Sequence, residues 1–262
     1  MLLPPITAEP IFNIGSFPVT NALINGWIAV VLFIIIGLIA KKRKDLIPKG
    51  IHNVFEAIVE FILDTIQTVT HDRERAKKFL PLVGSLFLFI LISNWMGLFP
   101  GTGSIGVYQF HHGEVELIPI LRPAASDLNL TLAMALIAVI GSHIFGIFTI
   151  GFFKHANKFI QLGTLWSSVR KGGINIFIGL VEFMVGIIEL VSEAAKVVSL
   201  SLRLFGNIFA GEVLLTVIAG LVAFFVPLPF MGLELIVGII QAMVFSLLTL
   251  VYLTVATEKI SH

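Results

Sequence analysis

The sequence predicts an all-α integral membrane protein, and three observations support this fold class. First, the 262 residues are 57% hydrophobic and only 13% charged, with a mean hydropathy of +1.01. A soluble domain is nearer half apolar and a quarter charged. Second, several apolar runs approach or exceed the ~20 residues that a helix needs to cross ~30 Å of hydrocarbon. Third, glycine is frequent inside these runs, which is typical of transmembrane helices rather than barrel strands.

We predict one membrane domain over residues 1–262, composed of helical spans and one surface helix. The predicted spans are residues 24–40, 79–99 and 127–153, followed by a hairpin of residues 174–226 and 230–257. As a single helix, the first segment of this hairpin would measure ~80 Å, far more than the thickness of a bilayer. It therefore either breaks into pieces or runs steeply tilted through the membrane. The polar residues inside it favour the tilt.

Residues 51–70 form a separate, amphipathic segment. Glu56, Glu60 and Asp64 recur every four residues and make a polar stripe on an otherwise apolar helix. Each acidic group near the middle of the bilayer would cost up to ~2.5–3.5 kcal/mol on insertion scales. We therefore predict an interfacial helix that lies on the cytoplasmic surface of the membrane.

The distribution of basic residues predicts the orientation of the chain. Nine Lys and Arg residues lie between the first two predicted spans, four follow the third and one lies near the C-terminus, whereas the loop 100–126 contains only Arg122. Cytoplasmic loops carry an excess of Lys and Arg, so we expect the N-terminus outside and the C-terminus in the cytoplasm. The N-terminal segment has no basic leader and is broken by prolines, so we expect no cleaved signal peptide.

Two basic residues, Lys196 and Arg203, lie inside the long apolar stretch. They belong to a set of six polar residues spaced 7, 4, 3, 7 and 4 positions apart, which are Glu182, Glu189, Glu193, Lys196, Arg203 and Asn207. On a helix these six residues fall within an arc of about 80°. Glu212 lies nine residues after Arg203, roughly on the opposite side, so we expect it to face a different environment.

The last apolar run repeats this pattern more sparsely. Glu234, Gln241 and Tyr252 are 7 and 11 residues apart and share one helical face, with Gly238 beside them. Asp127 and Asn129 open the span 127–153 near its outer end.

Polar residues inside a membrane have two interpretations here. Lys196 can form internal ion pairs with Glu189 or Glu193 that only lock the helices together, so for this group a structural role and a role in transport both remain open. For Arg203 the nearest acidic residues on its own helix are two turns or more away. Its partner must come from another helix, another subunit or a moving part, and intramembrane ionisable groups mark proton or ion pathways.

Other chemistry has little support in the sequence. The chain has no cysteine, which excludes disulfides, thiolate metal sites and thiol catalysis. It contains no GxxxxGK[ST] phosphate loop and no HExxH motif. His143 is the only histidine well inside a predicted span, which argues against a bis-His haem site. We expect no cofactor, no metal and no nucleic-acid partner.

The segment "SLSLRLFGNIFAGE" at 199–212 resembles the signature of the a subunit of F-type ATP synthases, from the membrane F0 sector of bacterial enzymes. Four further segments resemble the same family, namely "FPVTNALI" (17–24), "SNWMGLFPG" (93–101), "RPAASDLNLTLAMAL" (122–136) and "LELIVGIIQAMVFSLLTLVYLTVA" (233–256). The resemblance implies a non-catalytic, proton-translocating subunit in the bacterial plasma membrane. Its partners would be the rotor ring of c subunits, the b-subunit peripheral stalk, the rest of the F1F0 complex and membrane lipid.

The resemblance also implies roles for individual residues. Arg203 matches the essential arginine of the family, which faces the rotor carboxylates. Four residues match polar access-channel and interface positions, namely Asn207, Glu212, Glu189 and Gln241. Glu234 stands where some members carry a histidine paired with the position of Glu212, so two carboxyl groups sharing a proton become possible here.

Two half-channels separated by Arg203 follow from this resemblance. The outer half-channel is expected to use Asp127, Asn129, Glu212, Glu234 and Gln241. The cytoplasmic half-channel is expected to use Glu182, Glu189 and Glu193, and Lys196 and Tyr252 complete the candidate pathway. A stand-alone ion-coupled transporter or channel is the alternative function, although the two halves of the chain show no evident repeat. A membrane-embedded redox or hydrolytic enzyme is disfavoured. The coupling ion, H⁺ by default or Na⁺, is not readable from this chain.

Overall fold

The computed structural model describes residues 4–41, 50–99, 105–111, 114–159, 174–222 and 225–258. In chain order, the helices of these residues are α1 (Asn21–Lys41), α2 (Ile51–Thr70), α3 (Arg73–Met96), α4 (Leu128–Ile150), α5 (Phe152–Phe159), α6 (Ile174–Leu221) and α7 (Pro227–Thr257). A short 3₁₀ turn, Ala124–Ser126, precedes α4. Some residues used in the sequence predictions, among them the basic residues at 42–44, 49, 170–171 and 259, lie outside the described ranges.

The architecture is that of a helical membrane protein. Within the described residues, five helices are long and apolar enough to cross a membrane, namely α1, α3, α4, α6 and α7. The helical, multi-span character predicted from the sequence is thereby confirmed. The amphipathic helix α2 is not one of the five.

Two short β-hairpins, which the sequence analysis did not predict, accompany the helices. Strands β1 (Pro10–Ile14) and β2 (Phe17–Thr20) pair before α1, and β3 (Gly106–His111) and β4 (Glu114–Pro119) pair between α3 and α4. The first hairpin turns at Gly15, whose φ of +64° lies in the left-handed region, a conformation that glycine adopts without steric cost. Short, proline-containing segments outside the apolar runs thus satisfy their backbone groups by pairing with each other.

Helix α6 is a single unbroken helix of 48 residues. At 1.5 Å per residue it measures ~72 Å, more than twice the hydrocarbon thickness of a bilayer. The sequence left open whether this segment breaks into pieces or runs tilted as one helix. The structure shows no break within Ile174–Leu221. Helix α7 begins at Pro227, three positions before the predicted start. Proline fits the first helical position because no N–H is needed there.

One apolar cluster holds α3, α4, α6 and α7 together. It includes Ile90 on α3, Ala138 on α4, Leu200 and Leu204 on α6, and Phe245 on α7, each almost fully buried. Polar side chains also bridge this packing, since the hydroxyls of Thr131 on α4 and Ser201 on α6 form a buried hydrogen bond of 3.1 Å. These contacts fix the rotation of α6 about its own axis, and so decide which of its faces is left uncovered.

A second apolar cluster attaches α2 to α3 and α7. Ile62 and Ile66 of α2 are buried in it, whereas Glu56, Glu60 and Asp64 are exposed on the opposite side. His71 adopts a left-handed conformation after α2, and the Asp72 side chain then caps α3 by accepting a hydrogen bond from the Glu74 amide at 2.9 Å. The polar stripe predicted for residues 51–70 therefore points away from the helix bundle.

Candidate functional site

Arg203 lies on the uncovered face of α6. Leu200, Leu204 and Ile208 turn toward the bundle and are buried, while Arg203 and Asn207 are exposed. Among the described residues, the Arg203 guanidinium forms no hydrogen bond, ion pair or ring contact. The packing of α6 on the bundle therefore leaves the Arg203 side chain pointing outward, away from the helix contacts.

The residues around Arg203 on this face are small. Ala195, Ser199, Gly206 and Ala210 share the face and are exposed. A Cβ added at Gly206 would meet no atom within 4 Å. We call this set, with Arg203, the Arg203 face. Small side chains let a neighbouring helix approach a backbone closely in a membrane.

Glu212 does not face Arg203 but is bound by Arg122. The Nε atom of Arg122 donates to both Glu212 oxygens, at 2.9 Å and 3.1 Å. The guanidinium also donates to the carbonyls of Pro5 at 2.8 Å and Thr7 at 3.3 Å, and lies 5.9 Å from the centre of the Phe209 ring. Arg122 is only 2% exposed. This buried cation, each of whose three nitrogens donates a hydrogen bond, thus joins the N-terminal segment, the loop before α4 and helix α6.

Glu234 is buried on α7, directly against α6. Its carboxyl group occupies the space next to Gly211, where an added Cβ would overlap it. Gly211 precedes Glu212, so the two acidic residues approach the same turn of α6. The Glu234 side chain has no hydrogen-bond partner within the described part of the chain. Both Glu212 oxygens accept hydrogen bonds from Arg122 and not from Glu234. Proton sharing between Glu212 and Glu234 stays a prediction.

Asn94 of α3 adds a polar group one helical turn from Glu234, which was not predicted from the sequence. It is 2% exposed, and neither its Nδ2 nor its Oδ1 atom has a hydrogen-bond partner in the described residues. Its Cβ lies 3.6 Å from the position of a Cβ added at Gly238, one turn after Glu234. Gln241 follows on α7 and is half-buried. Buried amides without partners are rare, so this corner between α3 and α7 is unusually polar.

Asp127 and Asn129 have a local structural role at the start of α4. The Asp127 side chain accepts a hydrogen bond of 2.9 Å from the Asn129 amide and caps the helix. The Asn129 side chain is exposed. A cap of this kind accounts for an aspartate at this position without any role in transport.

A second polar cluster lies toward the other end of α4 and α6. Lys196 Nζ donates to Glu193 Oε1 at 2.6 Å and lies 5.2 Å from the centre of the Tyr252 ring. Glu193 Oε2 lies 3.5 Å from His143 Nε2, and His143 Nδ1 lies 3.2 Å from His155 Nε2. Glu182 and Glu189 precede this cluster on α6 and are partly buried. The structure therefore brings Glu193, Lys196 and Tyr252 together and adds two histidines to them.

Tertiary contacts explain why the sequence analysis missed Arg122, Asn94 and His155. Arg122 meets Glu212 across 90 positions, and Asn94 meets the Glu234 turn through the packing of α3 on α7. Only His143 gave a signal in the sequence, as a histidine inside a span. No group of three or more His, Cys, Asp or Glu residues in the described part of the chain has the arrangement of a metal site.

These features define a polytopic helical membrane protein that carries ionisable side chains inside its spans. The family described as ATP synthase A chain matches residues 23–254. The chain is 31% identical to ATP synthase subunit a of Moorella thermoacetica over 243 residues, which cover 93% of each protein. It is 32% identical to ATP synthase subunit a of Syntrophobacter fumaroxidans over 249 residues, covering 94% of this chain and 88% of that protein.

The chain belongs to the ATP synthase A chain family. The family resemblance found in the sequence is thereby confirmed. With five candidate spans and bacterial relatives along nearly its whole length, it is a multi-pass protein of a bacterial membrane.

Proposed function

We propose that this chain is the stator proton-channel subunit of an F-type ATP synthase. It has no catalytic role by itself, and it couples proton flow to the rotation of a ring of c subunits. The observation that carries the proposal is Arg203, a permanent cation exposed on a face of small residues without a counter-charge in the described chain. A cation at membrane depth needs an anionic partner, and a rotor carboxyl group supplies one.

Arg203 acts as a fixed charge. Arginine is effectively never deprotonated in proteins, so it attracts carboxylates without conducting protons itself. A positive charge within ~4–6 Å favours the ionised form of a rotor carboxyl. Each carboxyl therefore releases its proton as it passes Arg203, and must be protonated again before it meets lipid. The ~72 Å length of α6 suits a strongly tilted path along the ring surface.

The outer half-channel runs along the polar corner between α3, α6 and α7. Glu234, Asn94 and Gln241 line it, and Glu212 stands at its edge, held by Arg122. Water can satisfy buried amide atoms that have no protein partner. Asp127 and Asn129 belong to its outer mouth, where Asp127 also caps α4.

The cytoplasmic half-channel lies on the other side of Arg203 along α6. Glu182, Glu189 and Glu193 belong to it, and Lys196 contacts both Glu193 and Tyr252. Arg203 separates the two half-channels and repels protons that would otherwise pass directly between them. Each charge that crosses gains ~2.3 kcal/mol per 100 mV, so several steps must be coupled through rotation to make one ATP.

The assembly follows from the same proposal. The Arg203 face contacts the c ring, the b-subunit stalk and the F1 sector complete the complex, and the N-terminus lies outside with the C-terminus in the cytoplasm. We take H⁺, the default coupling ion, as the translocated ion. Purification from membranes distinguishes a subunit of the complex from a stand-alone transporter. The proposed subunit should co-purify with a rotor ring and a soluble ATPase, whereas a transporter should not.

The decisive experiment is Arg203→Ala in the assembled complex. We expect loss of ATP-driven proton pumping in inverted vesicles, with the amounts of co-purified ring and F1 unchanged. Leu202→Ala is the matched control, because Leu202 is the exposed neighbour of Arg203 and carries no charge. Normal pumping by the Arg203→Ala complex would refute the proposal.

A further inference from the structure

Helices α4, α5, α6 and α7 bring five titratable side chains into one cluster. Lys196 and Glu193 come from α6 and Tyr252 from α7, and their contacts are described above. The remaining two members are His143 on α4 and His155 on α5, whose rings meet edge to face with centres 5.4 Å apart. The sequence pattern and the proposed function assign no role to either histidine.

Both ring nitrogens of His143 face a group that can exchange a proton. Nε2 faces Glu193 Oε2 at 3.5 Å, and Nδ1 faces His155 Nε2 at 3.2 Å. Imidazole is the one side chain that can accept a proton on one nitrogen and release another from its second nitrogen near neutral pH. An imidazole placed only for packing needs no such partner on each side.

His155 is held in place by the backbone. Gly151, with a φ of +95°, ends α4 and turns the chain into α5. The His155 ring then lies against Gly146, where an added Cβ would be 2.7 Å from its Cε1 atom. His155 is 6% exposed, while Phe152 and Phe153 on the same short helix are exposed. Aromatic and basic residues on α5 are typical of a helix at the membrane surface, so His155 links the interior of the bundle to that surface.

We propose that His143 and His155 form a proton relay that continues from Glu193 to the cytoplasmic surface under α5. This inference rests on the proposed function and extends its cytoplasmic half-channel. In the direction of ATP synthesis, a proton leaves the Glu193 carboxyl and binds His143 Nε2, while the proton on His143 Nδ1 moves to His155 Nε2. The proton on the buried His155 Nδ1 then passes to a water molecule that enters beneath α5. Each ring returns to its starting tautomer by giving the Nε2 proton to water and taking one back on Nδ1. Only O–H and N–H bonds form and break.

The charges around the relay suit this exchange. On α6, Lys196 lies beside Glu193 at 2.6 Å and Glu189 lies one turn before it. Tyr252 of α7 contacts the Lys196 ammonium, and Lys154 of α5 is adjacent to His155 and exposed. Lys196 favours the ionised form of Glu193 and so promotes the release of its proton to His143.

The test uses His143→Gln and His155→Gln in the assembled ATP synthase. Glutamine keeps a hydrogen-bonding side chain but cannot carry a proton. We expect the ATP-driven proton uptake of inverted vesicles, per assembled complex, to fall at least ~10-fold in either variant, since positioned proton-transfer groups contribute ~10²–10⁴. We also expect the pumping rate, measured against pH on the cytoplasmic side, to lose the inflection that a titrating histidine produces. The double variant should be no slower than the single variants, because either change already interrupts the relay.

His52→Gln on α2 is the matched control, because the His52 ring contacts Phe55 away from the cluster. It should retain the wild-type rate and pH profile. Wild-type rates in both relay variants, or slower rates with an unchanged pH profile, would overturn the relay. If one variant fails to assemble, the other decides alone. Loss of pumping in Arg203→Ala, together with normal relay variants, would contradict the relay while leaving the proposed function in place.

Discussion

Arg122 and Glu212 form a buried ion pair that joins two parts of the chain 90 positions apart. The Arg122 Nε atom donates to both carboxylate oxygens of Glu212, at 2.9 Å and 3.1 Å. The same guanidinium binds two carbonyls of the N-terminal segment. The position of Glu212 is therefore determined from outside α6, by a residue of the loop before α4.

Replacing Arg122 by alanine is expected to destabilise the protein by ~3–5 kcal/mol, the cost of leaving a buried charge without its partner. The variant Arg122→Ala/Glu212→Ala should recover part of this loss because the stranded carboxylate is gone. Unfolding in a mixed detergent titration measures both. Equal losses in the single and double variants would show that Glu212 is not stabilised by Arg122.

Gly211→Ala is expected to displace the Glu234 carboxyl group, because the added Cβ would overlap it. Overpacking of this kind costs ~1–3 kcal/mol. Proton pumping should fall as well, since Glu234 would leave the proposed outer half-channel. Gly232→Ala is the matched control, because an added Cβ there meets nothing within 4 Å. Equal stability and equal pumping in the two variants would contradict the observed contact.

Gly206→Leu is expected to reduce proton pumping without reducing the stability of the isolated chain. An added Cβ at Gly206 meets no atom of the chain, and leucine favours a helix more than glycine by ~1 kcal/mol. The isolated chain should therefore be at least as stable as the wild type. Rotation-coupled pumping should nevertheless fall, because the new side chain projects into the proposed contact with the ring.

The control for this variant is Gly37→Leu on α1, which is also open on its outer side. It should pump normally. If Gly206→Leu pumps as well as Gly37→Leu, the Arg203 face is not the surface along which the rotor moves.

Asn94→Leu is expected to reduce proton flow without reducing stability. In a dry interface, replacing an amide that has no partner by leucine removes a desolvation cost and stabilises the fold. In a hydrated pathway the same change removes an amide that hydrogen-bonds to the water, so proton flow falls. Ser246→Ala serves as the control, because Ser246 Oγ is also buried without a partner in the described residues but lies about two turns beyond Gly238 on α7. Unchanged ATP-driven pumping in Asn94→Leu would exclude Asn94 from the pathway.

Glu212→Gln combined with Glu234→Gln is expected to impair ATP-driven pumping by more than the product of the two single effects, because each carboxyl group can still carry the shared proton when only the other has become an amide. Groups that act as one unit are strongly non-additive. The measurement is the initial rate of vesicle acidification for the two single variants and the double variant. Strictly multiplicative losses would argue against a shared relay between these carboxyl groups.

Helical periodicity predicted the parts of the site that depend on one helix. The spacing of Arg203 and Asn207 indicated a common face, and the nine-residue separation placed Glu212 elsewhere. Periodicity could not predict what each face meets, because that depends on how α6 packs against other elements. Arg122 and Asn94 belong to the site only because the loop before α4 packs on α6 and α3 packs on α7.

The composition of the chain predicted the spans but not the short hairpins. Hydropathy averages over about twenty residues and reports apolar length, so it is insensitive to strands of four to six residues such as Phe17–Thr20 and Gly106–His111. The link between His143 and His155 was equally hidden. It depends on a reversal at Gly151, and no helical period crosses such a turn.

The exposed guanidinium of Arg203 has a consequence for biogenesis. A newly inserted chain that has not met its partner would hold this cation against lipid, at a cost of ~2.5–3.5 kcal/mol on insertion scales. Under the proposed function the lone subunit is an incomplete product, so we expect it to be degraded until the ring of c subunits has formed. Pulse-labelled half-lives of this chain, in cells with and without the c subunit, measure that order of assembly directly.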